Sequence, residues 1–243
     1  MKIKLPFLII SIFIILSFVY FHFSFNGQST DRVYITITTF FFSIFSGFFV
    51  TRQGSRYTKI REIISTYDGK MSGIYRVSGN LSKEAQLQIG EIILAHYQKI
   101  IDTKSWDYHF INKSSTITKI HAVLEALVGD NKQETLRNQT VGKIIGNTSD
   151  LQVLRKNMIM LSQEKIPAFQ WTLLLFFVGI LILTVSVLPS SELVFESVLK
   201  SAFAVSVISV ILILYNLDNL HLFEKFIGEN SAEDVMETIK NSK

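Results

Sequence analysis

The sequence predicts an all-α integral membrane protein with four transmembrane helices and a helical cytoplasmic segment between the second and third. Apolar residues are gathered into four blocks of membrane-spanning length. The stretch between the second and third blocks spaces its apolar residues as helices do, without strand-like alternation. Lys and Arg are concentrated in that same stretch. A mean hydropathy of +0.33 with 20 Phe and only 3 Pro suits helices in lipid better than a loop-rich soluble fold.

The first block, Leu5 to Phe25, is 21 residues without a charge, which at ~1.5 Å per residue covers a hydrocarbon core of ~30 Å. A secretory signal peptide would share the basic start at Lys2 and Lys4. Its apolar region is only ~7–15 residues long and ends in small residues, whereas this block ends Phe-His-Phe-Ser-Phe. The second block, Val33 to Val50, is 18 uncharged residues rich in β-branched and aromatic types. An isolated strand in lipid leaves its backbone unpaired, so a helix is expected. The third runs from about Ala168 to Leu188, with Pro167 at its start and Trp171 as an interfacial anchor. The fourth runs from about Leu193 to Tyr215.

Direction follows from the flanking charges. The 26–32 turn holds one basic residue and the 189–192 turn none, while residues 51–165 hold 17 against 11 acids. The positive-inside rule then places both termini and the long segment in the cytoplasm of a multi-pass cell-membrane protein. The expected division is 1–50 for the first two spans, 51–165 for the cytoplasmic helical region, 166–215 for the last two spans and 216–243 for a cytoplasmic tail.

Past Val50 the apolar residues Ile60, Ile63, Ile64, Tyr67, Met71, Ile74 and Tyr75 form a helical stripe, so the second span should continue into the cytoplasm as one rod. Asn80 or Ser82 is placed to cap a helix that ends near Trp106. Another should begin near Ser114 or Ser115 and stop at Gly129-Asp130. A short amphipathic stretch over 132–145 and a helix capped by Ser149-Asp150 lead to the third span. These helices could bury a small core, alone or with a neighbouring subunit.

Two local patterns carry a family resemblance. One is Ser-Gly-Phe-Phe-Val at 46–50 followed by Arg52 and Arg56; the other is Leu154-Arg155 through Lys165, Pro167 and Trp171. With the span layout, they resemble the bestrophin-like membrane proteins, a family that includes anion channels and an uncharacterised bacterial branch. The resemblance implies a homo-oligomer whose second span lines a pore narrowed by apolar residues one turn apart. It places that role on Phe40, Ile44 and Phe48, whose spacing of four puts them on one helix face. Two departures are visible: the acidic calcium clasp of the eukaryotic channels has no counterpart, and the Asp-Arg-Pro-Phe after the last span is replaced by Leu217-Asp218-Asn219-Leu220.

Each marked residue has a plainer reading beside the functional one. Phe40, Ile44 and Phe48 suit lipid or a neighbouring helix as well as a pore. Arg52, Arg56, Lys59 and Arg61 suit topology and anionic headgroups as well as a basic mouth that concentrates anions; Arg155 and Lys156 invite the same two readings. Glu196 and Lys200, four apart, suit a snorkelling pair as well as an ion-selective site. His22 suits the interface as well as a proton sensor. The chain has no Cys, and its five His lack metal-ligand spacing. No phosphate loop, dinucleotide fingerprint or nucleophile elbow is present. Neither an enzyme nor a metal or cofactor is expected, and the mixed charges of 51–165 argue against nucleic acid. The functional expectation is an oligomeric channel or pore-like protein in the lipid bilayer that conducts small anions. The alternative is a non-conducting membrane-anchored interaction or signalling scaffold acting through its cytoplasmic helices.

Overall fold

The computed structural model describes residues 5–22, 32–112, 115–128, 135–187, 193–221 and 228–241, and no strand occurs among them. In chain order the helices are α1 (Leu5–His22), α2 (Arg32–Ser78), α3 (Lys83–Thr103), α4 (Tyr108–Ile111), α5 (Thr116–Val128), α6 (Thr135–Gln163), α7 (Ala168–Val187), α8 (Leu193–Asp218) and α9 (Gly228–Lys240). They belong to two compact units, Met1–Gly54 with Lys165–Asn219 and Ser55–Glu164 with Leu220–Lys243. The turns at 26–31 and 189–192, the end of the first span at 23–25 and the Gly129-Asp130 stop lie outside the described residues.

In the first unit, α2, α7 and α8 are each long and apolar enough to cross a membrane; α1 is apolar too, over the shorter stretch Ile10–His22. α8 packs along α1 and α7. Two small cores hold the unit: Phe49, Ile166, Leu174 and Leu214 in one, and Phe42, Leu181 and Val207 in the other. Phe177 of α7 lies between Phe41 and Phe45 of α2, stacked at centroid distances of 6.1 and 5.6 Å. The Ser186 hydroxyl donates to the Ile182 carbonyl at 2.6 Å and meets the Tyr20 hydroxyl at 3.1 Å.

Helix α7 starts where Pro167 forbids a preceding turn, and the Pro167 carbonyl accepts from the N–H groups of Gln170 and Trp171. The buried Asp218 side chain closes this corner. One oxygen accepts from the Ile166 N–H at 2.8 Å and the other from the Trp171 indole N–H at 3.3 Å. A carboxylate there satisfies two donors that lipid or packed protein would leave orphaned.

The second unit has one continuous core. The sequence stripe after Val50 faces it: Ile60, Ile64, Tyr67, Met71, Ile74 and Tyr75 are buried, with Ile63 at its edge. Ser82 is the cap of α3, its hydroxyl accepting from the Ala85 N–H at 3.0 Å. Helix α3 ends in the left-handed residue Lys104 (φ 50°). Helix α3 also passes close to its neighbours at Gly90, where an added Cβ would meet the Tyr75 ring at 3.0 Å and Ile239 at 3.5 Å.

One expectation changes. Residues 135–163 form one helix instead of two, so Ser149-Asp150 is no cap. The buried positions Ile144, Thr148, Leu151 and Met158 keep helical spacing straight through it. Asp150 turns outward to pair with Lys70 at 2.6 Å, and Thr148 meets His121 at 3.1 Å. The 216–243 segment also contains the amphipathic α9. Its Ala232, Val235, Met236 and Ile239 join the core, with α3 as its main neighbour.

A polar network sits inside this core. The Tyr97 hydroxyl donates to Asp68 at 2.5 Å, and the Ser231 hydroxyl donates to the other Asp68 oxygen. Burial raises the Asp68 pKa above the usual carboxylate value, these two hydrogen bonds oppose the rise, and Asp234 adds to it. Beside it, the His96 and His109 rings stack at 3.6 Å. His109 Nε2–H donates to the His96 carbonyl at 2.7 Å, and His96 Nδ1 meets the Thr116 hydroxyl at 2.9 Å. Arg155 donates to the carbonyls of His109, Phe110 and Asn112, fixing the short α4. Burial holds both histidines below their ordinary pKa; for His96 the neighbouring His109 deepens this, while for His109 the bond to the His96 carbonyl opposes it.

Two outcomes follow from this packing. Asp218→Ala removes both acceptors and should destabilise the protein by about 2–3 kcal/mol in detergent unfolding, with Asp218→Asn losing less. The two histidines stay neutral when folded but bind protons when unfolded, near the ordinary 6.5. Stability should therefore fall as pH drops below that value. Asp68 acts with the opposite sign, adding stability as pH falls through its raised folded pKa. Melting temperature should thus decline from about pH 7.5 to 5.5, with a shallower slope in His109→Gln; a rise over that range would contradict the assignment.

Candidate functional site

Helix α2 presents one face that its own unit leaves uncovered. At ~100° per residue, Phe40, Ile44, Gly47, Thr51 and Gly54 fall within a narrow arc, and their spacing of 4, 3, 4, 3 keeps them there. Phe40 is 61% exposed, Ile44 51% and Phe48 57%, while Phe42 and Phe49 on the opposite side are buried. The three residues singled out from the sequence therefore lie on the uncovered side, with Phe48 toward the edge of the arc.

Below these large side chains the face turns small and polar. Gly47, Thr51 and Gly54 continue it, and an added Cβ at either glycine would meet nothing within 4 Å. Neither glycine is required by packing against the described residues, although each costs a helix interior roughly 1 kcal/mol relative to Ala. The outward residues of α7 and α8 differ in kind, being mostly large and apolar, such as Leu175, Phe176, Leu183, Phe195 and Leu199. Sequence reasoning missed Gly47, Thr51 and Gly54, although the 4, 3, 4, 3 spacing from Phe40 would have found them.

The four basic residues beyond Val50 do not act alike. Arg52, Lys59 and Arg61 are exposed. Arg56 is 3% exposed and turns inward, its Nε donating to the Leu161 carbonyl at 2.6 Å and Nη2 to the Ser162 carbonyl at 2.8 Å. Those carbonyls end α6, where the unsatisfied acceptors and the negative end of the helix dipole favour a cation. The spacing carried the signal, since Arg56 lies four residues before the buried Ile60 and shares its face. Among the described residues no group of three His, Asp or Glu side chains could hold a metal.

Among the described residues of this α2 face, no nucleophile stands beside a base. The chemical content of the face is a row of largely exposed apolar side chains on one helix, followed by small residues and then exposed cations. No curated protein and no solved structure is significantly similar to the chain. The family model of the bestrophin-like domain matches residues 7–231, from α1 into α9. The helical architecture, the apolar spanning helices and a match over nearly the whole sequence establish that this chain belongs to the bestrophin-like family.

Proposed function

We propose that the protein is one subunit of a homo-oligomeric channel in the cell membrane that passes small anions along the uncovered face of α2. The observation that carries this reading is that Phe40, Ile44 and Phe48 are largely exposed among the described residues while the same face continues as Gly47, Thr51 and Gly54. Repeated around an axis, large apolar side chains form a constriction that excludes water, and small residues form a wider vestibule. Family membership supports a channel-like role and gives no support to catalysis.

In this reading α1 is the fourth span, both termini and the second unit lie in the cytoplasm, and Arg52, Lys59 and Arg61 raise the local anion concentration at the cytoplasmic mouth. Arg56 does not count among them, because the α6 carbonyls already engage it.

Purified protein in planar bilayers should give single-channel currents whose reversal potential follows the chloride gradient. Ile44→Ala should raise the current several-fold by widening the constriction. Arg52→Gln with Arg61→Gln should lower it roughly two- to fivefold at low salt, and less at high salt, because screening weakens the effect. Absence of current under active controls, or reversal at the potassium potential, would overturn the reading.

A further inference from the structure

The hydrogen bonds of the His96–His109 pair fix where a proton can land. A carbonyl only accepts, so the 2.7 Å bond to the His96 carbonyl puts a hydrogen on His109 Nε2. His109 Nδ1 is then the basic atom, and it makes no hydrogen bond with a described residue. His109 is half-buried while His96 is 3% exposed, so water reaches His109 first. The groups around the pair do not favour a cation. From α3, Lys99 lies over the Tyr108 ring at 5.7 Å and opposes a charge on His109. From α6, Arg155 donates to the His109 carbonyl at 3.1 Å. From α2, Tyr67 stacks on His96 at 5.8 Å, and Asp68 is already engaged by Tyr97 and by Ser231 of α9, with Asp234 close enough to act on it. Helix α5 brings the Thr116 hydroxyl, and Asp107 before α4 accepts from Ser105. Two cations therefore stand near the imidazoles, and no carboxylate of a described residue bonds to either ring.

The two rings belong to elements of very different strength. His96 lies within the 21-residue α3, flanked by the buried Ile93, Tyr97 and Ile100. His109 belongs to α4, which is only four residues long, and a single helical turn has no stability of its own. Helix α3 breaks off at the left-handed Lys104, so α4 does not continue it. What holds α4 is Phe110 in the core, the His109 bond, and the donation from Arg155 to the carbonyls of His109, Phe110 and Asn112. A cavity of about 20 Å³ lies among both imidazoles, Tyr67, Asp68 and Phe110. It has room for about one water, so a charged ring there gains little hydration. Burial disfavours the charged form of both rings while α4 is docked, which couples proton uptake to release.

We propose that His96 and His109 form an acid-operated latch: protons on the two rings release α4 from the second unit while the other helices of that unit stay folded. The first proton comes from water onto His109 Nδ1. The second reaches His96 once the ring stacked 3.6 Å from it has left. Release uncovers the apolar site of Phe110 and frees the Arg155 guanidinium, so a drop in pH creates an apolar and cationic patch on the second unit. The latch lies wholly within that unit and works whether or not the protein conducts.

The test is amide hydrogen exchange of the full-length protein in detergent, well below its melting temperature, at about pH 7.5 and about pH 5.5. Rates are expressed as protection factors, which removes the pH dependence of intrinsic exchange. A freed histidine titrates near the ordinary 6.5, so each one favours the open form about tenfold more at the lower pH. Protection of residues 105–112 should fall about tenfold to a hundredfold, while the middle of α3, α5 and α6 hold theirs within about twofold. His109→Gln keeps an amide donor for the His96 carbonyl but cannot titrate, and should reduce the acid-induced fall by about tenfold. Unchanged protection of 105–112, equal loss across all helices of the unit, or the same acid response in His109→Gln would overturn the proposal. The wild-type pattern alone separates release of α4 from unfolding of the whole unit, whatever the stability of the variant.

Discussion

Helix α2 must satisfy two solvents in 47 residues, and the rest of the structure follows from that demand. In lipid every backbone group must be bonded within the helix and a charged side chain is costly, and Val33 to Val50 accordingly carries no charge. In water the same helix needs one apolar stripe and no more, and from Ile60 to Tyr75 it has one. The phase of that stripe fixes which side of α2 receives α3, α5 and α6 in the second unit. In the first unit, Phe42 and Phe49 similarly choose the side that α7 and α8 cover. What neither set claims is the arc through Phe40, Ile44, Gly47, Thr51 and Gly54.

Buried polar groups make this arrangement specific. Asp218 caps the start of α7 from the end of α8, Arg56 caps α6 from α2, Arg155 holds α4, and Asp68 ties Tyr97 of α3 to Ser231 of α9. In each case a charged side chain satisfies groups that an apolar substitute would leave orphaned in a water-poor interior. Such contacts define register as well as contributing stability, because a shift by one residue along either helix would separate the partners. The acid sensitivity derived from His96 and His109 belongs to the same interior, where burial disfavours the charged ring.

Much of this was legible in the sequence, and the exceptions share a cause. The stripe after Val50, the Ser82 cap and the Pro167 start depend on local spacing and backbone chemistry, which a linear sequence contains. The role of Arg56 depends on where α6 ends in space, so four neighbouring basic residues looked equivalent. The supposed break at Ser149-Asp150 weighed local cap propensity above the uninterrupted spacing of Ile144, Thr148, Leu151 and Met158, and tertiary burial decided in favour of one helix. Helix α9 was hidden because Ala232, Val235, Met236 and Ile239 are few and interleaved with acids, and only their docking on α3 reveals a core face. In the site, large residues stand out in the sequence and small ones do not, although Gly47 and Gly54 need an explanation that packing against the described residues does not supply.

The central claim is that the uncovered face of α2 meets water, and the absence of any cysteine from the sequence makes this directly measurable. Single cysteines at Phe40, Ile44, Gly47 and Thr51, treated with a charged membrane-impermeant thiosulfonate, report whether each thiol can ionise in water. The account predicts that Ile44→Cys, Gly47→Cys and Thr51→Cys are modified with a change in current, while Phe42→Cys and Phe49→Cys on the buried side and Phe176→Cys on α7 stay unmodified. Unreactive thiols all along the Phe40–Thr51 face, matching Phe176→Cys, would place that face in lipid or against another helix and contradict the account.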